Sequence, residues 1–529
     1  MQVFLVYVGD EDYWRLLPAH LDRSAPDNGR IKALAFPPLG IQTLAPILRQ
    51  RGHQVRLFDT CHPQMKAEHL VEAAKLDRPE VIGLSFLSTT TYPVAKALAA
   101  RLKAEFPSIR IIVGGPFATV SPDLILRDCP DIDCVAVGEG EELLPDYLAH
   151  LDTPGDVAGL VWRDGSRIVR NADRPLIEDL DQYPYPDRTS LPIDYIESLP
   201  LDVPAPLSLD KFCTMQTSRG CPHECTCCDI PALSHRRWRC RSAEHVLGEM
   251  QYLHDQGFRA VSLTDDQFLI NRKRITAICD GIVARKLLLR WGCQGRVDSA
   301  AVDQLPAMKK AGCDFIGFGV ESGAQKTLDR LHKRQTLKQV EHAVAEAKRH
   351  GIRRVHGFFV IGCPGESPQD IRDSFRFAGR LKLDTFGFNR LCVYRGTPLW
   401  QEYCDRGIID DQRDWHKWFK CSDIDPTVLP SGEVNRLRTK GYARLFARRL
   451  FVRPLRTGRL LWSFSRGMGL GGVLRLLGTP FRRHTSSRKP ELPATMVEQG
   501  LDAPVRDSAP AEDRHTPSSP RPADSSAAS

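Results

Sequence analysis

The chain has 529 residues, of which 42% are hydrophobic and 26% are charged, and this composition is typical of globular proteins. Its net charge of +8 is modest for this length and gives no indication of a nucleic-acid partner. No stretch reaches the roughly 20 apolar residues that span a bilayer. The N-terminus MQVFLVYVGDEDYW has no basic region or cleavage site, so we expect a cytoplasmic protein.

Residues 1–150 alternate short apolar runs with amphipathic segments. The predicted strands are VFLVYV (3–8), QVRLFD (54–59), VIGLSFL (81–87), RIIVGG (110–115) and the start of CVAVGEGE (134–141). Helices are predicted over 40–52 and 92–106. Continuous apolar strands between helices indicate a parallel sheet that is covered on both faces. We therefore predict an α/β fold that begins with a Rossmann-like, doubly wound domain.

Residues 151–205 are rich in Pro and Asp, and we interpret them as a linker. Within this linker, LVWRDGSRIV (160–169) predicts a short hairpin, because Asp-Gly favours a tight turn between two strands.

Residues 206–400 resume the alternation of strands and helices. The strand candidates are KFCTMQT, AVSLTDD, LRWGCQGRV, FIGFGVE, RVHGFFVIG and TFGFNRL. Six such units predict a partial (β/α)6 barrel of the TIM type. Residues 401–485 are predicted to be a helical, basic region in which Trp415 and Trp418 pack, and the tail 486–529, rich in Ser, Pro and Ala, is predicted to be disordered.

Four of the sixteen cysteines lie within the eight residues 221–228, whereas most of the others are scattered singly and are expected to be small buried side chains. The spacing Cys221-x3-Cys225-x2-Cys228 follows a predicted strand. Thiolates are the usual ligands of iron–sulfur clusters, and three of them leave one iron of a cubane open. A zinc site completed by Cys227 or His223, or simply buried thiols, are the alternatives.

Three motifs resemble those of the radical S-adenosylmethionine (SAM) superfamily. They are the cluster segment TSRGCPHECTCCDIPA (217–232), GFGVESG (317–323) and FFVIGCPGES (358–367). The resemblance implies that Cys221, Cys225 and Cys228 hold a [4Fe–4S] cluster whose open iron binds SAM. The reduced cluster would then cleave SAM to methionine and a 5′-deoxyadenosyl radical. One departure is Cys227, which stands where the family usually has an aromatic residue.

The strand ends around these motifs supply the candidates for SAM binding. By the resemblance, Glu321 contacts the nucleoside or the methionyl amine; the alternative is a surface Glu in a turn. Arg296 suits the methionyl carboxylate through its planar guanidinium, although a structural salt bridge is also compatible. Of Asp265 and Asp266, one is expected to face the ligand and the other to cap a helix. The full set of predicted SAM contacts is Glu321, Gly319, Ser322, Gly323, Arg296, Ile230 and Asp265.

The N-terminal domain lacks the G-x-G-x-x-G fingerprint, so a nicotinamide cofactor is not indicated. VGGPFATVSPD (113–123) and VGEGE (137–141) lie near strand ends, where ligands of open α/β sheets bind, although Gly-Gly-Pro also suits a simple turn. Together with residues 37–60, they resemble the cobalamin-binding domain that precedes many radical SAM domains. This resemblance assigns cobalamin contacts to Gly114, Gly115, Pro116, Gly138, Glu139 and Gly140.

The D-x-H-x-x-G motif, whose His ligates cobalt from below in some members of that family, is absent. His62 is expected to be a loop residue. The resemblance extends to the many cobalamin-dependent radical SAM enzymes that lack this His and leave the lower face of the cobalt unligated or water-bound, and the sequence leaves the lower ligand open.

The segment 444–484 interleaves arginines with Leu, Phe and Trp. This pattern is compatible with a peripheral contact with the inner face of a membrane, in which case the substrate is expected to be lipophilic. The alternative is that these residues form helices packed on the barrel, with their arginines in solvent.

From these resemblances we expect a cobalamin-dependent radical SAM methyltransferase that acts on an unactivated carbon of a small molecule. It would take electrons from an external one-electron reductant such as flavodoxin or ferredoxin. An oxidative cyclase or ring-rearranging enzyme with the same cofactors, as in tetrapyrrole ring formation, is the first alternative. A cobalamin- and cluster-binding sensor without turnover is the second.

Overall fold

The computed structural model of the chain describes residues 1–9, 38–60, 65, 67–191, 212–417, 419–420, 429 and 432–452. The predictions for His62, for Trp418 and for the tail from 486 lie outside these residues. All described residues belong to one compact unit, Met1–Arg483.

The first sheet has seven strands, and five of them follow the predicted apolar runs. The strands are β1 (Gln2–Tyr7), β2 (Gln54–Asp59), β3 (Val81–Ser85), β4 (Arg110–Gly114), β5 (Cys134–Ala136), β6 (Leu160–Asp164) and β7 (Arg167–Arg170). Their order is β2-β1-β3-β4-β5-β6-β7, and β1 to β5 pair in parallel. The order 2-1-3-4-5 is that of flavodoxin-like, doubly wound sheets, which confirms the predicted fold of this part.

Helices cover both faces of the first sheet. They are α1 (Leu39–Gln50), α2 (Ala67–Asp77), α3 (Tyr92–Glu105), α4 (Pro116–Val120), α5 (Pro122–Asp128) and α6 (Gly140–Ala149). In β1, Phe4 and Val6 pack into the core on one face, while Val3 and Leu5 pack into the core on the other. Because both faces are buried, the strand is apolar from Val3 to Val6.

The hairpin predicted within the linker adds two strands to this sheet. β6 pairs antiparallel with β5, and β7 pairs antiparallel with β6. Between β7 and residue 191 the described chain has no helix or strand, but Arg188 forms a buried ion pair with Glu249 at 3.1 Å and donates to the Gln42 side chain. The linker therefore ties α1 to a helix of the second half of the chain.

The second half contains a six-stranded parallel sheet and two short ribbons. Its strands are β8 (Phe212–Met215), β9 (Ser218–Arg219), β10 (Arg239–Cys240), β11 (Ala260–Leu263), β12 (Arg290–Gly295), β13 (Cys313–Glu321), β14 (Arg354–Ile361), β15 (Thr385–Arg390), β16 (Cys392–Val393) and β17 (Phe419–Lys420). The order β15-β14-β13-β12-β11-β8 places consecutive barrel strands side by side, as in the predicted partial (β/α)6 barrel. The ribbons β9–β10 and β16–β17 are antiparallel and were not predicted.

The helices after residue 220 are α7 (Ile230–Ser234), α8 (Ala243–Asp255), α9 (Arg272–Ala284), α10 (Leu305–Lys310), α11 (Gln325–Arg330), α12 (Leu337–Arg349), α13 (Pro368–Arg380), α14 (Pro398–Asp405), α15 (Asp411–Asp414) and α16 (Glu433–Val452). Thr336 and Ser367 begin α12 and α13 with reciprocal capping boxes, which fix where these helices start. The barrel core lies between the strands and these helices, and Phe318 and Phe359 are fully buried there.

Trp415 packs as predicted, but its contacts are with the first domain. Its ring stacks on Phe117 with centroids 6.0 Å apart and lies 5.1 Å from the ring of Tyr92. It thereby joins the core on one face of the first sheet. The chain after the barrel therefore returns to complete the N-terminal domain.

The described part of the basic stretch, residues 444–452, belongs to α16 and packs on the barrel. Leu445 is buried, and Arg449 donates to the carbonyls of Leu383 and Asp384 while lying over the ring of Phe386. The rest of 444–484 lies outside the described residues. Within the described ranges, no helix combines the length and the apolar character that a bilayer crossing requires.

Candidate active site

The loop that carries the cysteines, residues 220–229 and here called the cluster loop, connects β9 to α7. Gly220 opens it with φ of +84°, and a Cβ at this position would lie 2.1 Å from the Arg237 carbonyl oxygen. The backbone amide of Gly220 donates to Asp266 at 2.8 Å. A glycine is thus required where the cluster loop leaves β9.

Asp265, a predicted SAM contact, is bound to the base of the cluster loop. Its carboxylate accepts hydrogen bonds from the backbone amide of Thr217 at 2.7 Å, the Thr217 hydroxyl at 2.5 Å and the Ser218 hydroxyl at 2.6 Å. Burial raises the pKa of Asp265, and these three donors oppose that rise. Both carboxylate oxygens of Asp265 accept hydrogen bonds from the segment before the cluster loop, so Asp265 stabilises the position of that loop.

The three predicted ligands Cys221, Cys225 and Cys228 are all half-buried on this one loop, and the amide of Cys228 donates to the Cys225 carbonyl at 3.2 Å. Within the described ranges, no three His, Cys, Asp or Glu side chains are gathered around one point at which a single ion would sit. A [4Fe–4S] cubane, unlike a single ion, is bound by thiolates that each ligate a different iron. Three neighbouring thiols beside a cation fit that donor set.

Cys227 points into an apolar cluster. The buried members of that cluster are Leu331, Cys363, Leu391, Val393, Leu399, Trp400, Tyr403 and Ile409. Burial raises the pKa of the Cys227 thiol to about 12. Cys227 therefore packs as a small apolar side chain at the position where the resemblance leads one to expect an aromatic residue.

Glu321 ends β13 with φ of +61°, and its carboxylate accepts a hydrogen bond from the Lys333 ammonium at 2.7 Å. A Cβ at Gly319 would lie 2.7 Å from that carboxylate and 2.9 Å from the ammonium, so a larger residue there would displace the pair. Burial disfavours the charged form of Lys333, but Glu321 outweighs it and the pKa of Lys333 is raised.

Arg296 is buried beside the cluster loop and held in one orientation. It donates from Nε and Nη2 to the Asp298 carboxylate at 2.9 and 2.7 Å, and Nη1 lies 3.7 Å from the Cys225 sulfur. Its Nη2 also donates to the Lys333 carbonyl. Two cations, Arg296 and Lys333, therefore adjoin the cluster loop, an arrangement suited to an anionic cluster and a carboxylate ligand.

Lys333 was missed by the sequence analysis. The signal for it is a run of basic residues, HKR at 332–334, directly after the short helix that follows GVESG.

Ser322 and Gly323 hold the end of β13 against α13. The Ser322 hydroxyl is fully buried and lies 3.0 Å from the Ser374 hydroxyl. A Cβ at Gly323 would lie 2.6 Å from that of Phe377. These two predicted SAM contacts are therefore occupied in packing, whereas Ile230, the first residue of α7, remains half-buried beside the cluster loop.

The predicted cobalamin contacts lie on two loops at the carboxyl edge of the first sheet. Gly115 has φ of +108°, and a Cβ there would lie 2.3 Å from the Phe86 carbonyl oxygen; Pro116 then begins α4. The amide of Gly138 donates to the Thr119 hydroxyl at 3.2 Å, which joins the two loops.

Gly138 presents bare backbone, because a Cβ there would meet no atom within 4 Å. Leu87, which follows the neighbouring strand β3, is 54% exposed. Open glycine backbone and an exposed apolar side chain on one edge fit the face of a large planar ring. Gly114 and Gly140 instead pack close to Ala136 and Leu44.

Glu139, also predicted to contact cobalamin, is already bound within the chain. Its carboxylate accepts from Arg219 at 2.9 Å, from Arg239 at 2.7 Å and from the amide of Ile177 at 2.8 Å. Arg219 stands two residues before Cys221. In addition, α4 contacts α7, so the loops with the predicted cobalamin glycines adjoin the cluster loop.

Two family models match the chain. The model described as B12 binding domain matches residues 33–148, and the model described as Radical SAM superfamily matches residues 215–378.

Comparisons with curated proteins find relatives that match about four fifths of this chain. The chain is 30% identical to an uncharacterized methyltransferase of Pyrococcus horikoshii over 427 residues, which cover 79% of this chain and 90% of the relative. It is 26% identical to an anaerobic magnesium-protoporphyrin IX monomethyl ester cyclase of Cereibacter sphaeroides, over 80% of this chain and 69% of the cyclase.

Among solved structures, the radical SAM methyltransferase TsrM of Kitasatospora setae, with tryptophan and a SAM analogue bound, superposes with a TM-score of 0.64. The match covers 77% of this chain and 76% of TsrM at 17% identity, so this likeness concerns the fold.

Proposed function

The chain belongs to the cobalamin-dependent radical SAM enzymes, whose cofactors are a [4Fe–4S] cluster, SAM and cobalamin, and we propose that it methylates an unactivated carbon of a small molecule. The observation that carries this proposal is the adjoining position of two loops. The glycine loops of the first sheet reach the cluster loop through the α4–α7 contact and through Arg219 and Glu139. A methyl donor and a radical source are useful to one substrate only if they are held side by side.

We assign residues 1–150 to cobalamin and residues 206–400 to the cluster and SAM. When bound, the cluster with SAM supplies a 5′-deoxyadenosyl radical, and cobalamin supplies the methyl group. Cys221, Cys225 and Cys228 would hold three irons, while Gly138 would leave room for the corrin ring and Gly115 would let the neighbouring loop pack against Phe86.

The residues proposed for SAM are those whose polar atoms remain directed at the cluster loop. Arg296 and Lys333 would bind the methionyl carboxylate, because both are buried cations beside Cys225. Glu321 would accept a hydrogen bond from the methionyl amine in place of, or together with, the one it accepts from Lys333. Asp265 and Ser322 are left out of this set because their polar atoms bind Thr217, Ser218 and Ser374 rather than the two cations beside the cluster loop.

The first test uses SAM with an isotope-labelled methyl group and needs no knowledge of the substrate. The full chain is purified without oxygen, loaded with iron, sulfide and cobalamin, and reduced with dithionite or a flavodoxin. We expect label in methylcobalamin and, with an accepted substrate, a product heavier by one CH2. Formation of 5′-deoxyadenosine with the label recovered only in methionine and unreacted SAM, and none in methylcobalamin or product, would contradict the methyltransferase.

An oxidative cyclase is the second candidate, favoured by the 26% identity to the magnesium-protoporphyrin cyclase. The same assay separates the two activities. With magnesium-protoporphyrin monomethyl ester as the added substrate, a cyclase would give a product that has lost hydrogen and carries no label. A sensor without turnover would give no 5′-deoxyadenosine at all.

A further inference from the structure

Four charged side chains connect the first sheet to the base of the cluster loop, and we call them the interdomain clamp: Glu139, Glu141, Arg219 and Arg239. Arg219 donates from Nη1 to Glu139 at 2.9 Å and from Nη2 to Glu141. Arg239 donates to the other oxygen of Glu139 at 2.7 Å. One guanidinium thus bridges two carboxylates, and one of these carboxylates also receives a second guanidinium.

Both ends of the clamp are fixed to rigid structure. Arg219 and Arg239 face each other across the β9–β10 ribbon, and Arg219 Nε also donates to the Gln216 side chain at 2.9 Å. On the other side, Glu141 lies in the first turn of α6. The clamp therefore links the start of α6, at one edge of the first sheet, directly to Arg219, which stands two residues before Cys221.

The clamp is largely desolvated, unlike an ordinary surface ion pair. The side chain of Arg219 is 18% exposed and that of Glu141 is 7% exposed. The Arg167–Asp164 pair of the hairpin, by comparison, is 77% and 45% exposed. Exposed pairs contribute little to structure, whereas a buried guanidinium that spans two carboxylates fixes both distance and orientation.

We propose that the interdomain clamp sets the separation between the cobalamin loops and the cluster loop, with Arg219 and Glu141 as positioning residues. This inference rests on the proposed function, since only a reaction that uses both cofactors on one substrate needs that separation fixed. It also gives Glu139 a role other than the cobalamin contact predicted from sequence. A shift of about 1 Å between reacting groups can lower a rate by about a hundredfold, so a looser clamp uncouples the two half-reactions.

The test uses two variants and a matched control in the full chain. Glu141→Gln removes a charge from the first domain without touching the cluster loop. Arg219→Lys keeps the charge, but a lysine ammonium cannot span both carboxylates. Asp164→Asn breaks the exposed hairpin pair of the same domain and serves as the control.

The structural readout is hydrogen–deuterium exchange of the chain before any cofactor is added. We expect faster exchange in both variants for peptides that contain residues 137–141 and 216–221, by at least threefold, and no change in Asp164→Asn. Faster exchange confined to the mutated side, or none, would overturn the proposal. This readout decides the matter even if no substrate is ever methylated.

The spectroscopic readout is the dipolar broadening between cob(II)alamin and the reduced cluster in electron paramagnetic resonance. We expect weaker or more distributed coupling in both variants at unchanged iron content. With a substrate that accepts the methyl group, the ratio of methylated product to 5′-deoxyadenosine should be at least tenfold lower in both variants than in the unmodified chain. The variants should still form 5′-deoxyadenosine. If the two variants showed the same coupling and the same product ratio as Asp164→Asn, the positioning role would be refuted. Failure of the proposed function alone would appear differently, because the unmodified chain would then give no methylated product.

Discussion

Alanine substitutions at Gly115 and Gly138 should distinguish a glycine that is needed for loop packing from a glycine that is needed for cobalamin binding. Both glycines have positive φ, and the backbone of Gly115, with φ +108° and ψ 175°, occupies a region that is essentially restricted to glycine. A Cβ at Gly115 would also overlap the Phe86 carbonyl oxygen at 2.3 Å, whereas one at Gly138 would meet nothing.

The two substitutions should therefore differ in their effect on stability. Backbone strain costs about 1–3 kcal/mol at either position. The overlap at Gly115 adds about 1–3 kcal/mol, because the atom in contact is backbone and cannot rotate away. For a domain of this size, Gly115→Ala should lower the Tm by on the order of 5–15 °C, and Gly138→Ala by roughly half as much.

Cobalamin affinity should separate the variants in a different way. At Gly138 the new methyl group would project from bare backbone into the space proposed for the corrin ring, so we expect the Kd for cobalamin to rise about tenfold, equivalent to about 1.4 kcal/mol. Gly165→Ala is the matched control, because Gly165 also has positive φ and open space but lies in the hairpin turn. Thermal unfolding and spectrophotometric titration with hydroxocobalamin measure the two effects. Equal cobalamin affinity of Gly138→Ala and Gly165→Ala would refute the assignment of the ring to this edge.

Four further predictions follow from the site. Cys225→Ala should abolish the cluster absorbance and 5′-deoxyadenosine formation, while Cys227→Ala keeps both; loss of the cluster in Cys227→Ala alone would mean that the ligand set is wrong. Lys333→Ala should raise the Kd for SAM at least tenfold in equilibrium dialysis, because charged hydrogen bonds contribute about 1.5–3 kcal/mol, and an unchanged Kd would remove Lys333 from the site. Asp265→Ala should lower both Tm and iron content, since the buried Thr217 amide loses its acceptor at a cost of about 1–3 kcal/mol; full iron loading would contradict its bracing role. Glu366 follows β14, is buried, and accepts hydrogen bonds from the amides of Gly362 and Cys363. Burial raises the pKa of Glu366 to about 7, above its unfolded value, so its stabilising contribution is complete below about pH 4.5 and is lost as the pH rises through 7. Glu366→Gln should remove up to about 3 kcal/mol of that pH dependence of stability, and identical Tm–pH profiles would contradict it.

The sequence predicted the framework well because the framework is encoded locally. Most of the parallel strands contain a short apolar run between turn or helix signals, and the segment 54–59 was predicted with the bounds that β2 has in the structure. The Asp-Gly turn of the hairpin was equally local. However, no local signal indicates that the hairpin pairs with β5, because edge pairing depends on which strand is left uncovered.

The site was predicted less completely because a residue type does not reveal its partner. Asp265 has the chemistry of a ligand but faces Thr217, 48 positions earlier in the chain. Glu139 has the same chemistry and is paired with Arg219 and Arg239, 80 and 100 positions later. Lys333 was overlooked because a run of basic residues is usually a solvated surface, and only the fold places its ammonium beside Glu321.

Trp415 has a consequence for the order in which the chain is made. The N-terminal core contains this residue, which is synthesised long after Phe117 and Tyr92 have left the ribosome. At elongation rates of about 5–20 residues per second the delay is roughly 15–60 s, during which the aromatic face of α3 and α4 has no partner. We expect the nascent first domain to wait in an incompletely packed state and to become fully stable only when the barrel has been translated, so that acquisition of cobalamin follows the completion of the cluster-binding half.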